Sequence, residues 1–163
     1  AELLALRFKN EKLDFIYSSD LERAAATARA IARFHPFIQI EFVKDLRERF
    51  LGTWQGQRKE YLGFSADKGI LEYSPENGET LDEMYTRAGN FLNMLLSKYN
   101  HELVLCVGHY GIYKAMLAVI SDKTPAEMLA IEDIHNTAVT IFEFDEKKHG
   151  KMEVFNCTSH LKE

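Results

Sequence analysis

Cysteine, proline and tryptophan are scarce in this chain of 163 residues, which holds two, three and one of them, respectively. Neither Cys106 nor Cys157 has a further cysteine or a histidine at the spacing of a metal-ligand set. We therefore interpret both as small buried or half-buried side chains, predict no metal site, and expect a cytoplasmic protein.

Long apolar runs and an excess of positive charge are also missing. No run approaches the length that spans a bilayer, and no secretory signal opens the chain. The net charge of −5 gives no general attraction to nucleic acid or to an anionic membrane, so we expect neither as a partner. Any anion site must be built locally. With 46% hydrophobic and 28% charged residues, residues 1–163 suit one soluble globular domain.

Strand and helix patterns alternate along most of the chain. The spacing predicts helices at the amino terminus, from N-cap residues at 18–20 to about residue 34, over 80–99 and from residue 112. Short apolar or alternating runs predict strands at 13–17, 38–43, 103–108, 136–144 and 151–156. Residues 80–83 and 124–127 are capping boxes. This order predicts an α/β fold with a mostly parallel sheet, an antiparallel edge and helices on both faces.

The apolar run at 103–107 is followed by Gly-His-Tyr-Gly and then by a helical pattern. A strand of this kind is typical of a sheet buried on both faces, and ligands bind at the carboxyl ends of such strands. His109 is therefore predicted to lie at a functional site. The alternative is a core histidine bonded to a backbone carbonyl.

Two further charged residues are candidates for the same site. Arg23 falls in the first turn of a predicted helix, where a cation is unfavourable unless an anion binds the free N–H groups. Glu48 lies in an irregular loop between two arginines. Arg23 could instead be a solvated side chain, and Glu48 could belong to a surface ion-pair cluster. Parallel strands would bring Ser18, Ser19, Arg23 and His109 to one sheet edge.

An imidazole, a guanidinium and a carboxylate around an anion-sized space suit phosphoryl transfer. The guanidinium neutralises phosphate oxygens, and a protonated or donating histidine does the same. The carboxylic acid gives a proton to the leaving oxygen.

Several segments match motifs of one known family, in the family's order along the chain. They are Tyr-Ser-Ser-Asp-Leu-Glu-Arg-Ala at 17–24, Leu-Arg-Glu-Arg at 46–49 with Gly-Thr-Trp-Gln-Gly at 52–56, Gly-Glu-Thr-Leu at 78–81, Val-Gly-His-Tyr-Gly at 107–111, Asn-Thr at 136–137 and Thr-Ser-His-Leu at 158–161. Over its whole length the sequence resembles the histidine phosphatases, a phosphoglycerate mutase-like superfamily.

The resemblance implies that a histidine nucleophile takes the phosphoryl group and that water then hydrolyses the phosphohistidine. It makes Arg23 the phosphate-binding arginine, Glu48 the proton donor and His109 the histidine that stabilises the transferring group. Ser18, with Tyr110 and Gly111 through their N–H groups, would also contact the phosphate. The expected partner is a small phosphorylated substrate or inorganic phosphate, and no cofactor is implied.

One family motif, the Arg-His-Gly triplet that ends the first strand, is absent. In the family that strand is central, between the strand at 103–108 and the carboxyl-terminal strands. We expect a domain truncated at its amino terminus, inactive as residues 1–163, with unpaired strand edges that invite a homodimer. The alternative is an inactive phosphate-binding or interaction module. A phosphoglycerate mutase or an α-ribazole phosphatase is less favoured.

Overall fold

A computed structural model describes residues 1–57 and 75–162. Residues 57–77, for which the sequence predicts a short helix or two and a closing loop, lie almost wholly outside this part of the chain. The helices are α1 (Glu2–Phe8), α2 (Glu22–Ala32), α3 (Leu81–Lys98), α4 (Tyr110–Ile120) and α5 (Pro125–Met128), with single 3₁₀ turns at Lys44–Leu46, Gly52–Trp54 and Ser159–Leu161. The strands are β1 (Phe15–Ser19), β2 (Ile40–Val43), β3 (Val104–Val107), β4 (Val139–Phe144) and β5 (Gly150–Cys157).

Strands β1, β2 and β3 form a parallel sheet in the order β2-β1-β3. Ile16 pairs with Ile40 on one side and with Leu105 on the other. The carboxyl ends of β1 and β3 therefore meet at one edge of the sheet, as predicted. Both capping boxes are also present, with Thr80 and Thr124 accepting from the N–H groups of Glu83 and Glu127. No helix in the described ranges is long and apolar enough to cross a membrane.

Helices cover both faces of this sheet because side chains alternate along β1. Ile16 packs into a core formed with α1 and α2, whereas the next residue, Tyr17, packs against Phe91 and Leu95 of α3. A third cluster joins α3 to α4 through residues such as Ala88 and Ala115. The predicted α/β class with helices on both faces is confirmed.

The carboxyl-terminal strands β4 and β5 form a separate antiparallel hairpin. Among the described residues, no ladder joins this hairpin to the parallel sheet, so the predicted antiparallel edge is a second sheet. The hairpin is held to the rest of the fold by side chains. Val139 packs in the core with α1, and Arg7 Nη1 donates to the carbonyl oxygen of Cys157 at 3.2 Å.

The first strand begins two residues later than its pattern predicts and ends at Ser19 instead of Tyr17. Ser18 and Ser19 are consequently strand residues, both fully buried, and not helix caps. Helix α2 starts at Glu22 with Leu21 as its N-cap. The Ser19 hydroxyl still accepts from the Leu21 N–H at 3.2 Å, so it satisfies a backbone donor from within the strand.

We expect replacement of Gly52 by alanine to destabilise the fold more than replacement of Gly56. Both glycines have positive φ, 47° and 78°, which costs a side-chain-bearing residue about 1–2 kcal/mol. Only at Gly52 would the new Cβ overlap backbone, 2.2 Å from the carbonyl oxygen of Glu76. Overpacking adds about 1–3 kcal/mol there. Urea unfolding of both variants measures the difference; equal losses of unfolding free energy would contradict it.

Candidate active site

His109 is the N-cap of α4, immediately beyond the end of β3, and is only 9% exposed. Its Nδ1 accepts a hydrogen bond from Arg23 Nε at 2.9 Å. Its Nε2 lies 2.8 Å from the hydroxyl oxygen of Ser19. The ring is thus held between two side chains from β1 and the start of α2, so the edge predicted from sequence does bring His109 and Arg23 together.

These contacts define the tautomer of His109. The Arg23 guanidinium is always a donor, so Nδ1 must be unprotonated and Nε2 must carry the hydrogen that is donated to Ser19. The imidazole is therefore neutral in this arrangement. Burial, followed by the charge of Arg23, lowers the pKa of His109, while the charge of Glu48 acts in the opposite direction. The site favours a donating histidine over a protonated one.

The serine at the site is Ser19 and not Ser18. Adjacent residues of a strand point to opposite faces. The Ser18 hydroxyl donates to the carbonyl oxygen of Ser19 at 2.9 Å and is fully buried, so the strand itself uses the hydroxyl proposed for phosphate binding. The two-residue shift in β1 is the reason, because a strand ending at Tyr17 would have left both serines in the following turn.

Glu48 reaches the same edge from the loop after β2. Both of its carboxylate oxygens accept the Gly111 N–H at 3.0 Å, and Oε1 also accepts the N–H of Arg49 at 2.9 Å. Gly111 lies in the first turn of α4, where free N–H groups favour an anion. Its N–H group, proposed to contact phosphate, is in this structure donated to the Glu48 carboxylate.

Tyr110 opens α4, but its side chain turns away from Arg23. The phenol donates to the Asp133 carboxylate and accepts from Lys114 Nζ at 3.2 Å. Lys114 is largely buried, whereas Tyr110 is 46% exposed. Tyr110 thus connects α4 to the loop before β4, and the phosphate contact predicted for its backbone N–H does not involve this side chain.

Sequence analysis missed two ion pairs beside the site. Arg47 Nε donates to Asp20 at 2.6 Å and joins the Glu48 loop to the end of β1. Arg87 forms a bidentate pair with Glu79, whereas a helix-face arginine of this kind more often lays its stem on apolar surface and keeps its charged head in water. The opposite charges could have suggested either ion pair, but the sequence does not give the distance between the two chain segments that each pair joins.

A cleft of about 510 Å³ opens beside the Glu48 loop. It is lined by Lys44, Arg47, Glu48, Phe50, Asn77, Gly78, Glu79, Glu83 and Arg87. Glu48 therefore lines this cleft and also contacts the start of α4. Within residues 1–57 and 75–162, no three His, Cys, Asp or Glu side chains are grouped so that they could hold a metal ion.

The arrangement can bind and polarise an oxyanion. Arg23 uses only Nε on His109, and among the described residues neither of its terminal nitrogens has a hydrogen-bond partner. Those two nitrogens form a fork suited to two oxygens of a phosphate. The neutral His109 and the carboxyl group of Glu48 lie at the same edge of the sheet. His109 can donate a hydrogen bond, and a protonated carboxyl group can donate a proton.

We expect His109 to make the fold more stable as the pH rises through the range in which it loses its proton. Its pKa is lowered by burial and by Arg23, so below the ordinary value of about 6.5 the unfolded chain binds the proton more readily. The stabilisation is present above that value and is lost as the pH falls through the lowered pKa. Urea unfolding between pH 5 and pH 8 measures this slope.

The His109→Gln variant should show a flatter pH dependence than wild type. Some slope should remain, because burial also lowers the pKa of His160. Replacement of the exposed His101 by glutamine, outside the site, is the matched control for the loss of one histidine. A His109→Gln slope equal to that of wild type would contradict the expectation.

A sequence profile described as the histidine phosphatase superfamily (branch 1) matches residues 1–158. Two curated relatives come from Arabidopsis thaliana. Phosphoglycerate mutase-like protein 4 is 30% identical over 95% of this chain and 69% of its own length. Metal-independent phosphoserine phosphatase is 30% identical over 94% of this chain and 65% of its own length.

Solved structures share the fold. The phosphoserine phosphatase of Entamoeba histolytica, in complex with 3-phosphoglyceric acid, superposes with a TM-score of 0.84. The two proteins are 25% identical, and the match covers 99% of this chain and 82% of the other. The chain thus spans about two thirds to four fifths of the length of these three proteins.

Proposed function

This chain belongs to the histidine phosphatase superfamily, and we propose that it forms most of a phosphatase that hydrolyses phosphomonoesters through a phosphohistidine intermediate. The observation that carries the proposal is the contact of Arg23 with His109, beside Glu48, at the carboxyl edge of the parallel sheet. The residues that the family resemblance implies as phosphate binder, stabiliser and proton donor are neighbours in space, although they are far apart in sequence.

In the proposed reaction, the two terminal nitrogens of Arg23 bind phosphate oxygens. His109 donates a hydrogen bond from Nε2–H to the transferring group once its hydrogen bond to Ser19 is broken. Glu48, in its protonated form, gives its proton to the leaving oxygen. One carboxyl oxygen of Glu48 delivers this proton while the other keeps its bond to the Gly111 N–H, which holds the donor in place.

The nucleophile is not among the histidines of this chain. His35 is bonded to the carbonyl oxygen of Phe8, and His160 to Arg7 and Thr137. The ring of His149 lies against Asp145 in the hairpin turn. The remaining two, at 101 and 135, are exposed residues of loops. Because the mechanism needs a second histidine at the site, we propose that residues 1–163 alone bind phosphate without turning it over.

The break between β3 and the hairpin supports the same proposal. The family resemblance implies a central strand between β3 and the hairpin. Among the described residues, no strand pairing joins these two elements. That strand would carry the missing Arg-His-Gly triplet and bring its histidine to the same edge as His109. A homodimer in which a second copy pairs along the open edge is the other way to fill the break.

A small phosphorylated metabolite is the proposed substrate class. A phosphoserine phosphatase is among the relatives, and the Entamoeba histolytica enzyme was solved with 3-phosphoglyceric acid. In mutases of the family, the insertion after the loop that carries the proton donor is longer than residues 57–77 of this chain. We therefore favour hydrolysis over mutase chemistry, with cytoplasmic location as the expectation that goes with a small metabolite.

The decisive experiment compares residues 1–163 with the product of the complete reading frame. Residues 1–163 should bind vanadate or phosphate but should not hydrolyse p-nitrophenyl phosphate. The complete product should hydrolyse it and trap an acid-labile phosphohistidine, and His109→Ala should abolish turnover. Hydrolysis by residues 1–163 that depends on His109 would overturn the assignment of the nucleophile.

The second candidate function is a phosphate-binding or interaction module without catalysis. It is favoured by the single histidine at a site that otherwise binds an anion. A complete reading frame without an Arg-His-Gly strand, together with phosphate binding and no turnover, would establish it against the phosphatase. Sedimentation of residues 1–163 would separate monomer from homodimer in the same preparation.

A further inference from the structure

The loop that carries Glu48 is fixed by an ion pair outside the anion site. Arg87 lies in the second turn of α3, and Glu79 lies just before the helix. The Nε and Nη2 atoms of Arg87 donate to the two carboxylate oxygens of Glu79, both at 2.7 Å. The two side chains are only 19% and 16% exposed. A bidentate pair that is largely removed from water has a well-defined geometry.

Arg87 also holds the backbone just before Glu48. Its Nη1 donates to the carbonyl oxygen of Arg47 at 3.0 Å and to that of Asp45. One guanidinium thus supplies two bonds to the Glu79 carboxylate and two to the loop. A lysine at this position would keep the charge but could not supply this planar fork.

Glu79 holds the backbone just after Glu48. Its carbonyl oxygen accepts from the Nε of Arg49 at 2.8 Å, and its N–H donates to the carbonyl oxygen of Phe50 at 2.7 Å. The contacts of the Arg87–Glu79 pair therefore fall on both sides of Glu48. The Glu48 side chain extends from the loop to the Gly111 N–H.

We propose that Arg87 and Glu79 are positioning residues for Glu48. They fix the loop so that the Glu48 carboxylate lies against the start of α4, within range of His109. The catalytic importance of this positioning rests on the proposed function, in which Glu48 is the proton donor. The geometry of the contacts is independent of that function. A general acid displaced by about 1 Å can lose a factor of about 10² in rate, so such a clamp has a measurable effect.

The Gly111 amide proton reports directly on the Glu48 contact, without any need for turnover. Hydrogen bonds to charged groups contribute about 1.5–3 kcal/mol, so their loss should speed amide exchange at Gly111 about 10- to 150-fold. Residues 1–163 carrying Glu48→Ala give the rate for a free amide. We expect Arg87→Lys and Glu79→Gln to move the Gly111 exchange rate toward that limit, with the amides of β1 and β3 unchanged.

Arg29→Lys is the matched control, because Arg29 also pairs with a glutamate but on the exposed face of α2. It should leave the exchange of Gly111 at the wild-type rate. Glu79→Gln keeps the shape and the backbone contacts of residue 79, so it decides the question where Arg87→Lys does not fold. Unchanged exchange at Gly111 in the folded variants, or a uniform acceleration through the whole protein, would overturn the positioning role.

Turnover of the complete reading frame separates this inference from the proposed function. A positioning role predicts that Arg87→Lys lowers kcat about 10²-fold with little change in KM, because substrate binding at Arg23 is untouched. Glu48→Gln without any loss of turnover would reject Glu48 as the proton donor. The exchange rates at Gly111 would still decide whether Arg87 and Glu79 hold the loop.

Discussion

Replacement of Gly111 by alanine is expected to expel the Glu48 carboxylate from α4 while the fold stays intact. An added Cβ would lie 2.3 Å from Glu48 Oε1, far inside van der Waals contact. The end of a flexible side chain can swing away, so the backbone is spared. Alanine also has a better helix propensity than glycine by about 0.8–1 kcal/mol, which offsets part of the lost contact. The expected result is a folded protein without an aligned proton donor.

The matched control is Gly89→Ala, the same change in the middle of α3. There the nearest atoms to the new Cβ are those of Val119, at 3.8 and 3.9 Å, which is ordinary contact. Gly89→Ala should raise the free energy of unfolding by about 0.4–1 kcal/mol and leave turnover unchanged.

Gly111→Ala should lower kcat of the complete reading frame by about 10²-fold or more, since a general acid contributes about 10²–10⁴. Steady-state kinetics and urea unfolding of both variants measure these effects. A Gly111→Ala protein with wild-type kcat would mean that the Glu48 contact with Gly111 has no part in the reaction. A large loss of stability would instead show that the clash is borne by the backbone.

Replacement of Arg23 by glutamine is expected to weaken phosphate binding by residues 1–163 about 10- to 150-fold. The estimate follows from about 1.5–3 kcal/mol for hydrogen bonds to a charged group. Glutamine keeps a donor but removes the charge and the fork of two terminal nitrogens. Isothermal titration with phosphate or vanadate, at fixed ionic strength, measures the change.

The same variant should raise the pKa of His109. Burial is the larger cause of the lowered value, and the charge of Arg23 is the second, so its removal reverses part of the shift. Proton NMR of the imidazole measures this in the absence of any ligand. Arg29→Gln serves as the control, because Arg29 pairs with Glu22 at the surface. Equal phosphate affinity in wild type and Arg23→Gln would place the anion elsewhere.

The elements and their order could be predicted from the sequence because their signals are local. Apolar spacing and a capping box at Thr80 and Glu83 are sufficient for α3, and the apolar run before His109 is sufficient for β3. The convergence of Arg23 and His109 followed from parallel strands alone. These conclusions needed no knowledge of side-chain contacts.

The partners within the site could not be predicted, since they depend on register and on distances between segments. A two-residue shift in β1 decides that Ser19, and not Ser18, meets His109. Arg87 could only be placed near an apolar stripe, whereas two of its four hydrogen bonds go to a loop 40 and 42 residues away in sequence. The separation of the hairpin from the sheet depends on pairing between distant strands, which leaves no local signature.

The parallel pairing of β1 has a consequence for the order of folding. Ile16 of β1 pairs with Ile40, which is near in sequence, whereas Phe15 of β1 pairs with Val104, which is much farther along the chain. Loops that close over more residues cost more entropy, so β1, α2 and β2 should associate early and β3 should add late. Arg23 and Ser19 belong to the early unit, and His109 arrives with the late strand. Affinity for phosphate should therefore appear only at the last stage of folding. Phosphate that binds the folded state then shifts the folding equilibrium toward that state.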